Sequence, residues 1–164
     1  MTWAEAIDCR YLEDLPFKIE LNEFGQLVMT PRTNHQSFLK SKIASLLFEQ
    51  NTSGTFLFNC CVQTAKSVKV ADVVWMSQDF RTAHSSHREI ETPLTRAPEL
   101  CVEVVYPEDY PAEQQEKREL YFERGAQEVW FCLSMGAMRF FNRVGEVESS
   151  ALFTQFPTKI ELDN

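Results

Sequence analysis

A chain of 164 residues suits one domain spanning residues 1–164, because domains typically contain roughly 100 to 150 residues. A composition of 44% hydrophobic, 24% charged and 12% aromatic residues excludes a disordered chain and predicts a well-filled core. The net charge of −8 counts against a nucleic-acid partner, since phosphate groups need local positive potential.

The first predicted elements are a hairpin and a helix. Strands at residues 17–21 and 27–30 flank a turn that contains Gly25. A helix is predicted with Asn34 as its N-cap, because apolar residues recur at helical spacing from there to residue 47, and residues 51–54 end it.

Two strands and a long loop come next. Residues 55–65 and 68–76 are rich in Phe and Val, which favour strands, and Lys66 and Ser67 form the turn between them. Residues 77–97 are mostly polar, which predicts a long surface loop or a partly ordered excursion.

The remaining residues predict a strand, a helix and a strand, followed by a hairpin. These elements are strands at 99–106 and 128–133, a helix at 111–124 between them, and closing strands at 138–143 and 147–153. A crossover through a helix joins parallel strands. The fold class is therefore α/β or α+β, a mixed β-sheet flanked by helices.

Charge and hydropathy also bear on location and partners. No apolar run reaches the roughly 18 residues that span a bilayer, and the first residues do not resemble a signal peptide, so we expect a cytoplasmic protein with no membrane partner. Residues 32–69 contain five basic residues and one acidic residue, Glu49, so this stretch has a net charge of +4. This asymmetry fits either a positive face for nucleic acid or a solvated helix face.

Two carboxylates interrupt apolar strands. Asp72 lies within Val70–Trp75 and Glu103 within residues 100–105, where an unpaired charge would cost several kcal/mol. A buried salt bridge or a solvent-reaching strand end would explain either residue alone. Two acids on neighbouring strands can instead converge, and hard oxygen ligands suit Mg²⁺ or Mn²⁺.

Lys117 lies one or two turns into the helix that follows the Glu103 strand. The crossover returns the start of that helix over the end of the strand, so the ammonium can reach a metal-bound water or a phosphate. A solvated lysine paired with Glu113 is the alternative explanation.

These residues also carry a family resemblance. Residues 97–107 (APELCVEVVYP), followed by Lys117, Tyr121, Gly125, Glu128 and Trp130, resemble the core of the Uma-type restriction endonuclease family of the PD-(D/E)xK superfamily. Upstream motifs in the same order extend the resemblance over about residues 17–141. They are Glu20 with Gly25, Thr30 with Pro31, His35, and Asp72 within Ala71–Val73.

The resemblance implies a restriction-endonuclease-like fold in which Asp72 and Glu103 bind the metal. It implies that Lys117 replaces a lysine two positions after the glutamate, where this chain has Val105. Glu20 matches an early family glutamate, an added ligand or active-site acid, although a charged residue in an edge hairpin would also explain it.

Four further residues are candidates for substrate binding: His35, Lys40, Gln63 and Arg88. His35 matches a family histidine that opens a helix, and capping or packing would explain it equally well. Lys40 belongs to the basic helix, Gln63 lies on the strand antiparallel to that of Asp72, and Arg88 belongs to the long loop. An exposed strand glutamine is the simpler interpretation of Gln63.

The function predicted from the sequence is hydrolysis of DNA phosphodiester bonds with Mg²⁺ or Mn²⁺ by a single protein or a homodimer. The chain departs from the family at Ala71, which replaces a proline, at Tyr106, and at residues 134–136. These departures leave open a changed substrate or a weakened enzyme. A non-catalytic nucleic-acid or protein-binding module and a structural dimer subunit without DNA affinity are the alternatives.

Overall fold

The computed structural model describes residues 1–51, 53–84, 93–105 and 111–162. The helices are α1 (Trp3–Ile7), α2 (Asn34–Gln50), α3 (Gln78–His84) and α4 (Pro111–Glu123). The strands are β1 (Phe17–Leu21), β2 (Leu27–Pro31), β3 (Thr55–Thr64), β4 (Ser67–Met76), β5 (Leu100–Val105), β6 (Glu128–Leu133), β7 (Met138–Phe141) and β8 (Glu146–Val147).

The strands form two sheets. β1 and β2 make an antiparallel hairpin, and the other six strands form one sheet in the order β3-β4-β5-β6-β7-β8. β5 and β6, on either side of α4 in the chain, are parallel, while the remaining neighbours are antiparallel. The predicted mixed sheet with flanking helices is confirmed.

The central strands are buried on both faces because helices cover them. On one face, α2 packs Leu39, Ile43 and Leu47 into a cluster with Trp130. On the other, Tyr121 of α4 joins a second cluster around the neighbouring strands. Such two-sided burial explains why β4 and β5 are almost continuously apolar in sequence, and it makes their two acids conspicuous.

The N-cap of helix α2 is Thr33, and the helix begins at the next residue, Asn34. The Thr33 hydroxyl accepts a hydrogen bond from the Gln36 backbone N–H, and the Gln36 side chain accepts one from the Thr33 N–H. This capping box satisfies two donors at the helix start. Asn34 is therefore the first helical residue and not the cap that the sequence predicted.

Among the described helices, none combines the length and the apolar composition that a membrane-spanning helix needs.

The structure corrects two predicted segments. The loop at 77–97 begins with α3, because the Ser77 hydroxyl accepts a hydrogen bond from the Phe80 N–H and starts a helix. The closing strand at 147–153 was wrong beyond Val147, since the N–H groups of Ala151 and Leu152 bind the Glu128 carboxylate and not a neighbouring strand. Helix α1, which a Thr2 capping box starts, was not predicted.

Candidate functional site

The site lies where β4 and β5 separate. Their backbone pairing ends at Val73 and Val102, one position before Asp72 and Glu103. Beyond that point, the Val104 N–H donates to the Asp72 Oδ2 at 2.7 Å, so a carboxylate takes the place of a strand partner. The divergence opens a cleft beside two buried acids, which are 3% and 2% exposed.

Strand β1 closes one side of this cleft. Lys18 and Glu20 are two residues apart on the strand, so their side chains point the same way. The Val70 N–H of β4 donates to the Glu20 Oε1 at 2.7 Å, which fixes the hairpin against the sheet. Both Lys18 and Glu20 are buried.

Two lysines hold the carboxylate of Asp72. The Lys18 Nζ lies 3.2 Å from the Asp72 Oδ1 and 2.6 Å from the Glu103 Oε2, so it bridges the two strands. The Lys40 Nζ, from α2, lies 3.1 Å from the same Asp72 Oδ1 and donates to the Asn59 Oδ1 at 3.2 Å. Asp72 therefore faces two ammonium groups.

Helix α4 supplies the contacts to the other oxygen of Glu103. The Tyr121 hydroxyl donates to the Glu103 Oε1 at 2.8 Å, and the Lys117 Nζ lies 3.3 Å from that oxygen. Lys117 also binds the Glu20 Oε1 at 2.9 Å. Lys117 and Tyr121 are four residues apart, which places them on one helix face.

These contacts shift the titration of the buried groups. Burial acts to raise the pKa of Asp72, but Lys18 and Lys40 outweigh it and hold that pKa below its ordinary value. The pKa of Glu20 is also lowered, since Lys117 and Lys18 oppose its burial. Burial, aided by Asp72 and Glu20, raises the pKa of Glu103 despite the nearby lysines.

The charged groups line a cavity of about 260 Å³ that opens to the surface. Glu20, Asp72, Glu103 and Lys117 all contribute to its wall. The basic residues among those that line it are Lys18, Arg32, Lys40, Lys69 and Lys117. A concave site with convergent polar groups of perturbed pKa is typical of binding and catalytic sites.

The structure brings together most of the residues singled out in the sequence. Asp72, Glu103, Glu20 and Lys117 meet within one network of contacts, and Lys40 joins it through Asp72. The roles proposed for these residues remain predictions.

Two of the remaining candidates for substrate binding lie away from the cavity. The His35 Nε2 donates to the Ser134 carbonyl at 2.6 Å and ties the start of α2 to the turn after β6. The Gln63 amide donates to the Thr64 carbonyl at 3.2 Å. Neither residue lines the cavity, and Arg88 lies outside the described residues.

Sequence analysis did not assign Lys18 or Tyr121 to the site. Lys18 precedes Glu20 by two residues in a strand, and that spacing predicts a shared face. Tyr121 follows Lys117 by one helical turn, which also predicts a shared face. Both spacings can be seen in the sequence, but neither predicts that Lys18 or Tyr121 contacts Glu103.

The donor set fits a small divalent cation. Asp72 and Glu103 each bind a protein N–H or O–H through one oxygen and turn the other toward the Lys18 ammonium. Oriented carboxylate oxygens that converge on one cation suit Mg²⁺, which takes one or two carboxylates and keeps several waters. Within the described parts of the chain, no three His, Cys, Asp or Glu side chains form a larger ligand group.

Comparisons with known proteins give the family from the sequence and a similar fold from a solved structure. The model of the Uma2 family, described as "Putative restriction endonuclease", matches residues 8–161. The fold is similar to a crystal structure titled as a putative nuclease belonging to DUF820 from Anabaena variabilis ATCC 29413. The TM-score is 0.62 at 13% identity, with 87% of this chain and 79% of that chain covered. No curated protein sequence matches significantly.

Proposed function

We propose, from the premise that the chain belongs to the Uma2 family of restriction-endonuclease-like proteins, that it hydrolyses DNA phosphodiester bonds with a divalent metal. The observation that best supports this proposal is the convergence of one oxygen from Asp72 and one from Glu103 on a single cation position. Family membership supports the nuclease role, and the chemistry of these oxygens supports Mg²⁺ or Mn²⁺.

In this proposal Asp72 and Glu103 would hold the metal with the oxygens that now face Lys18. Their other oxygens stay bound to the Val104 N–H and the Tyr121 hydroxyl, which keeps both carboxylates oriented. When bound, the metal supplies a water of lowered pKa and stabilises negative charge on the scissile phosphate.

Lys117 offsets the charge that develops on a phosphate oxygen. Its side chain is 19% exposed and lines the cavity, so it is accessible to a substrate while two carboxylates position it. Glu20 acts through Lys117 in this proposal, because it holds the ammonium in place at 2.9 Å.

A DNA substrate would approach along the basic part of the cavity wall. Arg32 is exposed and Lys69 is half-buried, and both line the cavity together with Lys40. These residues belong to the stretch with a net charge of +4, which offers local positive potential on a protein of net charge −8. His35, Gln63 and Arg88 remain weaker proposals for substrate contact.

The test is cleavage of plasmid and single-stranded DNA with Mg²⁺ or Mn²⁺. Asp72→Asn and Lys117→Met are each expected to lower the cleavage rate by about 100-fold or more, since each removes a charge acting on the transition state. Asp79→Asn and Lys159→Met, which alter exposed residues outside the cavity, are the matched controls. Equal rates for the parent, Asp72→Asn and Lys117→Met would contradict the proposal.

One observation favours a second candidate function, a non-catalytic nucleic-acid-binding module. Three lysines already balance the three carboxylates Glu20, Asp72 and Glu103, so the site is neutral without a metal. Calorimetry with MnCl₂ and a DNA-binding assay distinguish the two functions. Salt-sensitive DNA binding without any metal binding would support the module.

A further inference from the structure

Among the described residues, Lys18 is the cation that contacts both proposed metal ligands. Its Nζ lies 3.2 Å from the Asp72 Oδ1 and 2.6 Å from the Glu103 Oε2. Lys40 contacts Asp72 but not Glu103, and Lys117 contacts Glu103 but not Asp72. Lys18 thus occupies the point toward which these two carboxylate oxygens turn.

The Lys18 ammonium also supplies the positive charge that two neighbouring buried carboxylates require. Asp72 and Glu103 are 3% and 2% exposed and lie on neighbouring strands, so their mutual repulsion is poorly screened without a cation between them. Lys18 is itself buried, and its ammonium lies 3.2 Å from the Asp72 carboxylate and 2.6 Å from the Glu103 carboxylate. The side chain is therefore held as a charged group.

The surroundings of Lys18 allow it to leave. Its ammonium ends a flexible four-carbon stem on β1, and the side chain lines the cavity of about 260 Å³. The carboxylates do not depend on Lys18 for orientation, because the Val104 N–H and the Tyr121 hydroxyl bind their other oxygens. If the ammonium withdrew, the Asp72 Oδ1 and the Glu103 Oε2 would still point toward the same position.

We propose that Lys18 is the resident cation of the metal-free site and competes with the divalent metal for Asp72 and Glu103. Metal binding moves the ammonium out of the site into the open cavity. Lys18 therefore stabilises the metal-free fold and weakens metal affinity, and it is not a catalytic residue. This inference rests on the proposed metal-dependent function.

The first experiment compares the parent with Lys18→Met, which keeps an unbranched side chain of similar length and removes the ammonium. In MnCl₂ titrations followed by calorimetry, Lys18→Met should bind Mn²⁺ roughly tenfold more tightly or better, since no internal cation must be displaced. Its Tm without metal should fall, and its rise in Tm on adding MnCl₂ should exceed that of the parent. Lys159→Met, at an exposed position outside the cavity, should match the parent.

The outcomes separate this inference from the proposed function. If the parent binds Mn²⁺ through Asp72 and Lys18→Met binds it no more tightly, the competition is wrong while the proposed function stands. If neither the parent nor Lys18→Met binds Mn²⁺, both are wrong. Binding by Lys18→Met alone would be the strongest support for the competition.

A second measurement uses the parent protein and does not depend on the folding of the variant. Side-chain ¹⁵N NMR should show a Lys18 ammonium signal that exchanges slowly with water in the metal-free protein, because the group is buried between two carboxylates. Titration with MgCl₂ should speed that exchange and move the signal. A Lys18 signal unchanged at MgCl₂ concentrations that saturate Asp72-dependent binding would overturn the inference.

Discussion

At the scale of single residues, Glu103 shows how a buried charge is kept in this fold. One oxygen accepts from Tyr121 and contacts Lys117, and the other contacts Lys18. Buried carboxylates are tolerated when every oxygen has a donor. Tyr121 is fully buried, and its ring also packs in the core beside β5 and β6, so its hydroxyl can be tested apart from its ring.

Tyr121→Phe should lower the free energy of unfolding by about 1–3 kcal/mol, because it removes a hydrogen bond to a buried charged group and keeps the ring. Urea unfolding monitored by circular dichroism measures the difference. Tyr11→Phe is the matched control, since Tyr11 is 90% exposed and should change stability by less than about 0.5 kcal/mol. Equal loss in both variants would contradict the assigned hydrogen bond.

At the scale of elements, the site depends on how strand β3 meets β4. Asn59 lies on β3 between the pairs Phe58–Val73 and Cys60–Ala71, and it has a φ of 55°. The left-handed region is unusual for a strand residue, although asparagine tolerates it better than most side chains. In this conformation the Asn59 side chain accepts from Lys40, which also contacts Asp72.

Because of this backbone conformation, we expect glycine to be more stable than alanine at position 59, the reverse of the usual order in a strand. Asn59→Gly and Asn59→Ala both lose the Lys40 contact, but only alanine is strained at positive φ, so the glycine variant should be more stable by about 1 kcal/mol. Urea unfolding of both variants tests the order. At Gln63, elsewhere on β3 and without a positive φ, alanine should be more stable than glycine. Alanine favoured at both positions would refute the argument.

At the scale of the whole molecule, the C-terminal segment completes the core. Beyond β8 the chain leaves the sheet and places Phe153, Phe156 and Ile160 in the cluster that α2 covers. Glu128 of β6 holds the start of this segment. Its buried carboxylate accepts from Trp130, Ser150, Ala151 and Leu152 at distances between 2.7 and 3.1 Å.

Glu128→Gln should lower the free energy of unfolding by about 2–3 kcal/mol. The amide nitrogen cannot accept hydrogen bonds, so at least one buried donor loses its partner. Guanidinium chloride unfolding measures this loss. Glu148→Gln, at an exposed position, should leave stability within about 0.5 kcal/mol of the parent. A parent-like midpoint for Glu128→Gln would show that the carboxylate does not hold the segment.

Sequence patterns alone determined the order of the main elements and the two acids at the centre of the site. Apolar periodicity is local, so it predicted α2, α4 and the strands β1 to β7, with errors where a side chain redirected the backbone. Ser77 started α3 inside the predicted loop, and Glu128 drew residues 151 and 152 away from the sheet. Asp72 and Glu103 were conspicuous because a charge between apolar strand neighbours requires compensation.

Only the tertiary structure decided which cations provide that compensation. Lys18 lies 85 residues from Glu103 in the chain, and no local pattern pairs residues so far apart. The separation of β4 and β5, which lets the Asp72 carboxylate accept the Val104 N–H, also follows from how strands pack and not from their composition. Ion pairs and strand divergence depend on distances in space, which sequence spacing does not set.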